Sequence, residues 1–180
     1  QPALYLCNHP SYLDILFAVG QTPSVLVAAD EFRSAPFIGW LGRALQTVWV
    51  RRKCPLSRSR VRETVVRKVK EGTSVFVFPE GQTTGAHAVQ EVKPGLFRTA
   101  VEESLPIAFL SIRYSNPAPL YFHTMGPGFF RDWLRHAWHV LCQPQLGVVL
   151  KVSVPMFYSS PEQAQEAFYA FHQRHLRRAA

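Results

Sequence analysis

Ala3-Leu4-Tyr5-Leu6-Cys7-Asn8-His9-Pro10-Ser11-Tyr12-Leu13-Asp14 is the stretch on which the fold reading turns. Its first five residues form a short apolar run, the pattern of a buried strand. Pro10 suits the first turn of a helix, with Leu13, Leu16 and Phe17 at helical spacing and Gly20 at the end. A buried strand running directly into a helix is the opening half of a βα unit.

The same alternation repeats outward from this stretch. Strands are expected at 25–28, 47–50, 74–78 and 107–112, with helices at 36–45 and 57–71 and another passing through Phe97 and Val101. The helix at 57–71 is the clearest, since Val61, Val65 and Val69 repeat at i, i+4, i+8 and Gly72 stops it. The tail is less regular. It predicts an aromatic helix at 129–142, a strand at 147–154 and a last helix with Ser160 as N-cap, Pro161 at its first position and Gln163 closing a capping box. Strands alternating with helices predict a single α/β domain with a mostly parallel central sheet flanked by helices.

Composition narrows the classes. The chain has 180 residues, enough for one domain with a real core. With 47% hydrophobic and 18% charged residues it is globular and not disordered. The cysteines at 7, 54 and 142 form no CxxC pattern and read as reduced thiols of an intracellular protein. No apolar run approaches the ~20 residues that span a bilayer. The formal charge of +8 points to an anionic partner. Arg51, Arg52, Lys53, Arg58, Arg60, Arg62, Arg67, Lys68 and Lys70 fall in one short region, which suits nucleic acid, anionic lipid or coenzyme A phosphates, or is a solvated helix face.

Two motifs carry chemistry. His9 and Asp14 lie five positions apart at a strand-to-helix junction. A histidine held in one tautomer by a carboxylate is a general base able to take a proton from an attacking hydroxyl. If His9 caps the helix, Asp14 lies just over one turn inside and folds back to the ring. Phe78-Pro79-Glu80-Gly81 follows a strand-like run and delivers a carboxylate to the rim of the sheet. Glu80 is expected to bind hydroxyls of a substrate, and Gly81 to let backbone N–H groups approach a phosphate or oxyanion.

In order and spacing these blocks resemble the glycerolipid acyltransferases typified by bacterial 1-acylglycerol-3-phosphate acyltransferase. The resemblance rests on His9-Pro-Ser-Tyr-Leu-Asp14, Pro36-Phe-Ile-Gly39 running on to Val50-Arg51-Arg52, Phe78-Pro-Glu-Gly81 and Leu105-Pro106-Ile107, with Lys93-Pro94-Gly95-Leu96-Phe97 as a link. It covers residues 8 to about 113. It implies transfer of an acyl chain from acyl-CoA or acyl carrier protein to the hydroxyl of a lysophospholipid, with 1-acylglycerol-3-phosphate as the leading acceptor. His9 and Asp14 would be catalytic; Arg52, Pro79, Glu80, Gly81 and Lys93 would bind substrate. The family's arginine aligns with Arg52 and not Arg51. No metal or prosthetic group is implied. Family members usually carry a hydrophobic or amphipathic segment upstream, so residues 1–180 are expected to be the catalytic domain without it. That domain is expected to be membrane-associated on the cytoplasmic face.

The chain departs from the family after Gly81. Many members continue Thr-Arg-Ser, whereas this chain has Gln82-Thr83-Thr84. Either Lys93 compensates for the missing arginine, or the acceptor is another lysolipid such as a lyso-aminolipid. Two rivals belong to other classes: a catalytically silent lipid-binding domain, against which the intact His9 and Asp14 argue, and a nucleic-acid-binding domain, for which no motif appears. His136, His139 and Cys142 stand at i, i+3, i+6, but without a second ligand cluster they read as packing residues and not as a zinc site. Phe129, Phe130, Trp133 and Trp138, with Arg131 and Arg135, suit either an interfacial membrane face or ordinary core beside solvated arginines.

Overall fold

Alternate residues of each central strand are apolar on both sides, so the sheet needs cover on both faces. The computed structural model describes residues 1–20, 23–35, 38–86, 88–121 and 128–176. Its strands are β1 (Leu4–Cys7), β2 (Ser24–Ala29), β3 (Val48–Val50), β4 (Ser74–Val77), β5 (Ile107–Tyr114) and β6 (Val148–Val152). They form one six-stranded sheet in the order β3-β2-β4-β1-β5-β6. All neighbours are parallel except β5 and β6, which pair antiparallel from Leu110↔Val152 to Tyr114↔Val148. The expected α/β fold with a mostly parallel sheet is therefore the observed one, and β6 supplies an antiparallel edge.

The two faces follow the period of two. Leu4, Leu6, Val75, Val77, Ile107 and Phe109 point to one side. There they meet Val61, Val65 and Val69 of α3 (Pro55–Lys70), Phe97 and Ala100 of α4 (Gly95–Glu102), and Ala164 and Phe168 of α6 (Pro161–Leu176). Cys7, Leu26, Phe76, Leu110, Ile112 and Tyr114 point to the other side, where the short α1 (Asp14–Val19) contributes Ala18. At about 25 cal/mol per Å2 a fully buried Val or Phe stabilises by about 1.5–3 kcal/mol, so the three-helix face carries most of the hydrophobic stabilisation.

Ser160 caps the last helix as expected, Gln163 N donating to its Oγ at 3.1 Å, but the Gln163 side chain closes one residue further back than a capping box does, its Oε1 accepting from Ser159 N at 3.0 Å. His172 of α6 is fully buried, with Nδ1 2.8 Å from Phe168 O and Nε2 3.1 Å from Leu110 O. Burial holds its pKa down at about 4 against those two carbonyls.

One further local expectation changes. α1 begins at Asp14, not at Pro10, because local side-chain bonds take over the preceding turn: Leu13 N donates to Ser11 Oγ at 3.3 Å and Ser11 N to Asp14 Oδ2 at 2.8 Å. His9 therefore lies in the link after β1 and caps no helix. The expected start of the second helix at Pro36 lies outside the described residues, and α2 is Ile38–Ala44. Among the described residues no helix is long and apolar enough to cross a membrane.

Candidate active site

Parallel strands bring their C-terminal ends to one rim, and ligands of such sheets bind there. His9 follows β1, Arg52 follows β3 and Glu80 follows β4, so three distant motifs meet on that rim. Asn8 sets the register of the first. Its Nδ2 donates to Ile112 O at 2.9 Å, and its Oδ1 accepts from Ile112 N at 2.8 Å. This side chain copies a strand's ladder bonds where β1 has ended, and fixes the backbone that carries His9.

The His9 backbone is held on both sides by the loop after β4. Glu80 Oε1 accepts from His9 N at 2.8 Å, and His9 O accepts from Thr84 N at 2.9 Å. Glu80 Oε2 accepts from Gln90 N at 2.8 Å. Both oxygens of Glu80 are thus bonded to backbone N–H groups, and the residue is only 6% exposed. Burial raises its pKa, while the Gln90 and His9 N–H groups oppose that rise. Glu80 stands behind the wall of the site, whereas Pro79 and Gly81 form part of that wall.

The His9 ring is stacked on Phe78, with centroids 3.9 Å apart and planes at 15°. Its Nδ1 lies 2.8 Å from Asp14 Oδ2. A carboxylate only accepts, so Nδ1 is the donor, and in the neutral ring the lone pair is left on Nε2. Asp14 is fully buried, and its other oxygen accepts from the Tyr114 hydroxyl at 2.6 Å. Burial first, and the neighbouring Asp14 second, push the Tyr114 hydroxyl far above its ordinary pKa, so it stays a donor. Every lone-pair direction used on Asp14 thus faces a fixed donor, and the imidazole cannot turn.

His9 opens onto a slot of about 240 Å3. Leu26, Val27, Val77, Phe78 and Leu96 give it apolar walls; Arg52, Arg58, Arg62 and Lys93 add four cations. No carboxylate lines it among the described residues. Lys93 loses basicity through burial and through the nearby Arg52 and Arg58. Gly81 has φ +76°, a conformation that suits glycine, and a Cβ there would come within 2.7 Å of Lys93 Nζ, so a side chain would move the ammonium off this turn. Arg51 faces elsewhere: its Nε is 3.4 Å from Asp30 Oδ2.

The rim thus gathers His9, Asp14, Arg52, Pro79, Glu80, Gly81 and Lys93 in one place. Sequence reasoning gave no role to Asn8, Ser11, Thr84 or Tyr114. Asn8 and Ser11 stood in the quoted motif, but Tyr114 is 100 residues from Asp14 and has no local signal. His136 uses both ring nitrogens, with Nδ1 3.1 Å from the Tyr12 hydroxyl and Nε2 3.1 Å from Leu120 O. Among the described residues no group of three His, Cys, Asp or Glu side chains could hold a metal ion.

A profile of the acyltransferase family matches residues 1–113, which contain every one of these rim residues. The chain belongs to the acyltransferase family. Among its relatives, a lyso-ornithine lipid O-acyltransferase from Pseudomonas aeruginosa is 28% identical over 114 residues, 63% of this chain and 44% of that protein. A lysophospholipid acyltransferase from Homo sapiens is 32% identical over 170 residues, 92% of this chain and 30% of that one. This member of the family therefore spans less than half the length of both. The crystal structure of a 1-acyl-sn-glycerophosphate acyltransferase from Thermotoga maritima superposes with a TM-score of 0.64 at 21% identity, covering the whole of this chain and 68% of that one. Its likeness extends the shared fold through β6 and α6.

Proposed function

We propose that this chain transfers a fatty acyl group from a thioester, acyl-CoA or acyl carrier protein, to the free hydroxyl of a lysophospholipid, with 1-acylglycerol-3-phosphate as acceptor. The observation that carries this reading is the Nδ1–H···Asp14 bond, which turns Nε2 of His9 toward an apolar slot lined also by four cations.

The chemistry needs no protein nucleophile. His9 Nε2 takes the acceptor's proton as its oxygen attacks the thioester carbonyl carbon. Asp14 stabilises the imidazolium that forms. The tetrahedral intermediate then expels the sulfur, and the imidazolium returns the proton to it. One C–O bond forms and one C–S bond breaks, giving an ester and a free thiol.

The slot suits such a substrate on two counts. Its apolar walls match an acyl chain. Arg52 matches a phosphate bidentately, and Lys93, Arg58 and Arg62 add charge. Lys93, whose pKa is lowered first by burial and then by Arg52 and Arg58, would be relieved of the second effect by an anion bound between it and Arg52. The basic α3 is also suited to an anionic membrane surface, where each basic residue is worth about 1 kcal/mol.

A second reading, a lyso-aminolipid acceptor, is favoured by Gln82-Thr83-Thr84 in place of an arginine-bearing turn. A panel of 1-acylglycerol-3-phosphate, lysophosphatidylcholine and lyso-ornithine lipid, each with one acyl-CoA, separates the two. Thiol release and product mass are the readouts. Preference for 1-acylglycerol-3-phosphate is expected. Turnover of lyso-ornithine lipid alone establishes the second reading, and no thiol release with any acceptor refutes both.

A further inference from the structure

We infer that α5 (Phe129–Leu141) is a membrane-contact helix that lies in the plane of the bilayer interface beside the mouth of the slot. The choice of a bilayer as its occupant rests on the lipid-substrate reading above.

The helix has three faces. At about 100° per residue, Phe130, Leu134, Trp138 and Leu141 fall within an arc of about 80°. They are 56%, 46%, 70% and 78% exposed, so a continuous apolar stripe faces outward. Arg131, Arg135 and His139 occupy the adjoining arc, and they too are exposed. The remaining face holds the helix to the molecule. Val140 is buried, Trp133 and His136 pack on Tyr12, and Phe129 meets Phe32 with centroids 6.4 Å apart. Asp132, the acid of this helix, lies beyond the basic arc and away from the stripe.

An apolar stripe on a helix already packed elsewhere is no core element. Its neighbours decide what covers it. A stripe bordered by arginines on one side matches an interface in which apolar side chains reach the acyl region and guanidinium groups stay among anionic headgroups. A protein partner would have to bury that basic border as well. The packed face of the same helix adjoins the site. Phe32, which Phe129 touches, lines the slot, and Tyr12, which holds the helix from within, stands three residues after His9. A bilayer seated on the outer face of α5 therefore lies one helix away from residues that line the slot. This contact is separate from the charge of α3, because it uses apolar side chains on another helix.

The test is co-sedimentation with phosphatidylcholine–phosphatidylglycerol vesicles. The Leu134→Glu/Leu141→Glu double variant should bind at least about tenfold more weakly, because it sets two charges in the apolar stripe. Its melting temperature and its turnover of a short-chain, monomeric lysolipid should stay close to those of the parent. Should that variant fail to fold, the parent protein still gives the answer: vesicles with lipids brominated near the headgroup should quench its tryptophan fluorescence, and Trp138→Phe should remove most of the quenched part. Loss of binding in the α5 variant supports the inference whether or not any acyl group is transferred, so failure of the catalytic reading remains a separate result. Unchanged vesicle binding overturns it. So does a parent protein that sediments as a dimer and becomes a monomer in the α5 variant, because the stripe is then covered by a second copy of the chain.

Discussion

Asp14→Asn removes a charge from the site while leaving its hydrogen bonds satisfiable. Ser11 N donates to the same oxygen that faces His9 Nδ1, so the amide must place its oxygen there and its nitrogen toward Tyr114. The Tyr114 hydroxyl then turns from donor to acceptor. The His9 tautomer survives, and the lost quantity is the attraction between Asp14 and the imidazolium formed during attack. Two unit charges about 4 Å apart at an effective dielectric of about 20 attract by about 4 kcal/mol, so kcat should fall about 1,000-fold. The acceptor KM should hardly change, because Asp14 is fully buried and does not line the slot. Stability should drop by only about 1 kcal/mol, chiefly from the charge lost at the first position of α1. Steady-state thiol release at varied acceptor, alongside a thermal melt, measures all three. A kcat within about threefold of the parent, or a change confined to KM, refutes the assignment of Asp14 as the group that stabilises the imidazolium.

Glu80→Gln sets an amide donor against one of two backbone N–H donors, at a cost of about 1–3 kcal/mol. A lowered melting temperature with a lowered kcat is expected; unchanged stability with a raised acceptor KM would assign Glu80 to substrate hydroxyls instead. Arg52→Ala should raise the KM for a phosphate-bearing acceptor about 10- to 200-fold, the equivalent of about 1.5–3 kcal/mol. Arg51→Ala, whose side chain turns to Asp30, should do far less, and equal effects at both positions would reduce the pair to a diffuse basic patch. For His172 the folded pKa lies below the unfolded one, so neutral His172 contributes stability above about pH 6.5 that is lost as the pH falls toward about 4. Thermal melts across that window should show a decline that His172→Gln flattens; an identical decline in the variant places its origin elsewhere.

The sheet was legible because its signals are local. Period-two strands and the Val61-Val65-Val69 ridge need only neighbouring residues, and both are where the pattern puts them. The direction of β6 was not legible, since a strand's apolar pattern is the same read either way; only its pairing with β5 reveals that it is antiparallel. The start of α1 was misplaced because Pro10 is a good first-turn residue, and the competing bonds of Ser11 and Asp14 are specific to this turn. In the site, the chemistry-bearing residues stood out as motifs. Their supports did not: Asn8 to Ile112 and Asp14 to Tyr114 are bonds across about a hundred residues, made only once β1 and β5 pair. The outward face of α5 was equally hidden, because that helix is apolar on two sides and the sequence does not say which side the molecule covers.

The central claim is that His9 is the base. Its most direct test is thiol release from acyl-CoA with 1-acylglycerol-3-phosphate by His9→Ala, with a thermal melt on the same sample. His9→Ala removes the ring's bond to Asp14 and its stack on Phe78, but Asp14 Oδ2 keeps its bond from Ser11 N and the His9 backbone bonds remain, so the variant should stay folded, while transfer should fall about 100- to 10,000-fold or more. A folded His9→Ala protein that keeps more than about a tenth of the parent's activity contradicts the claim.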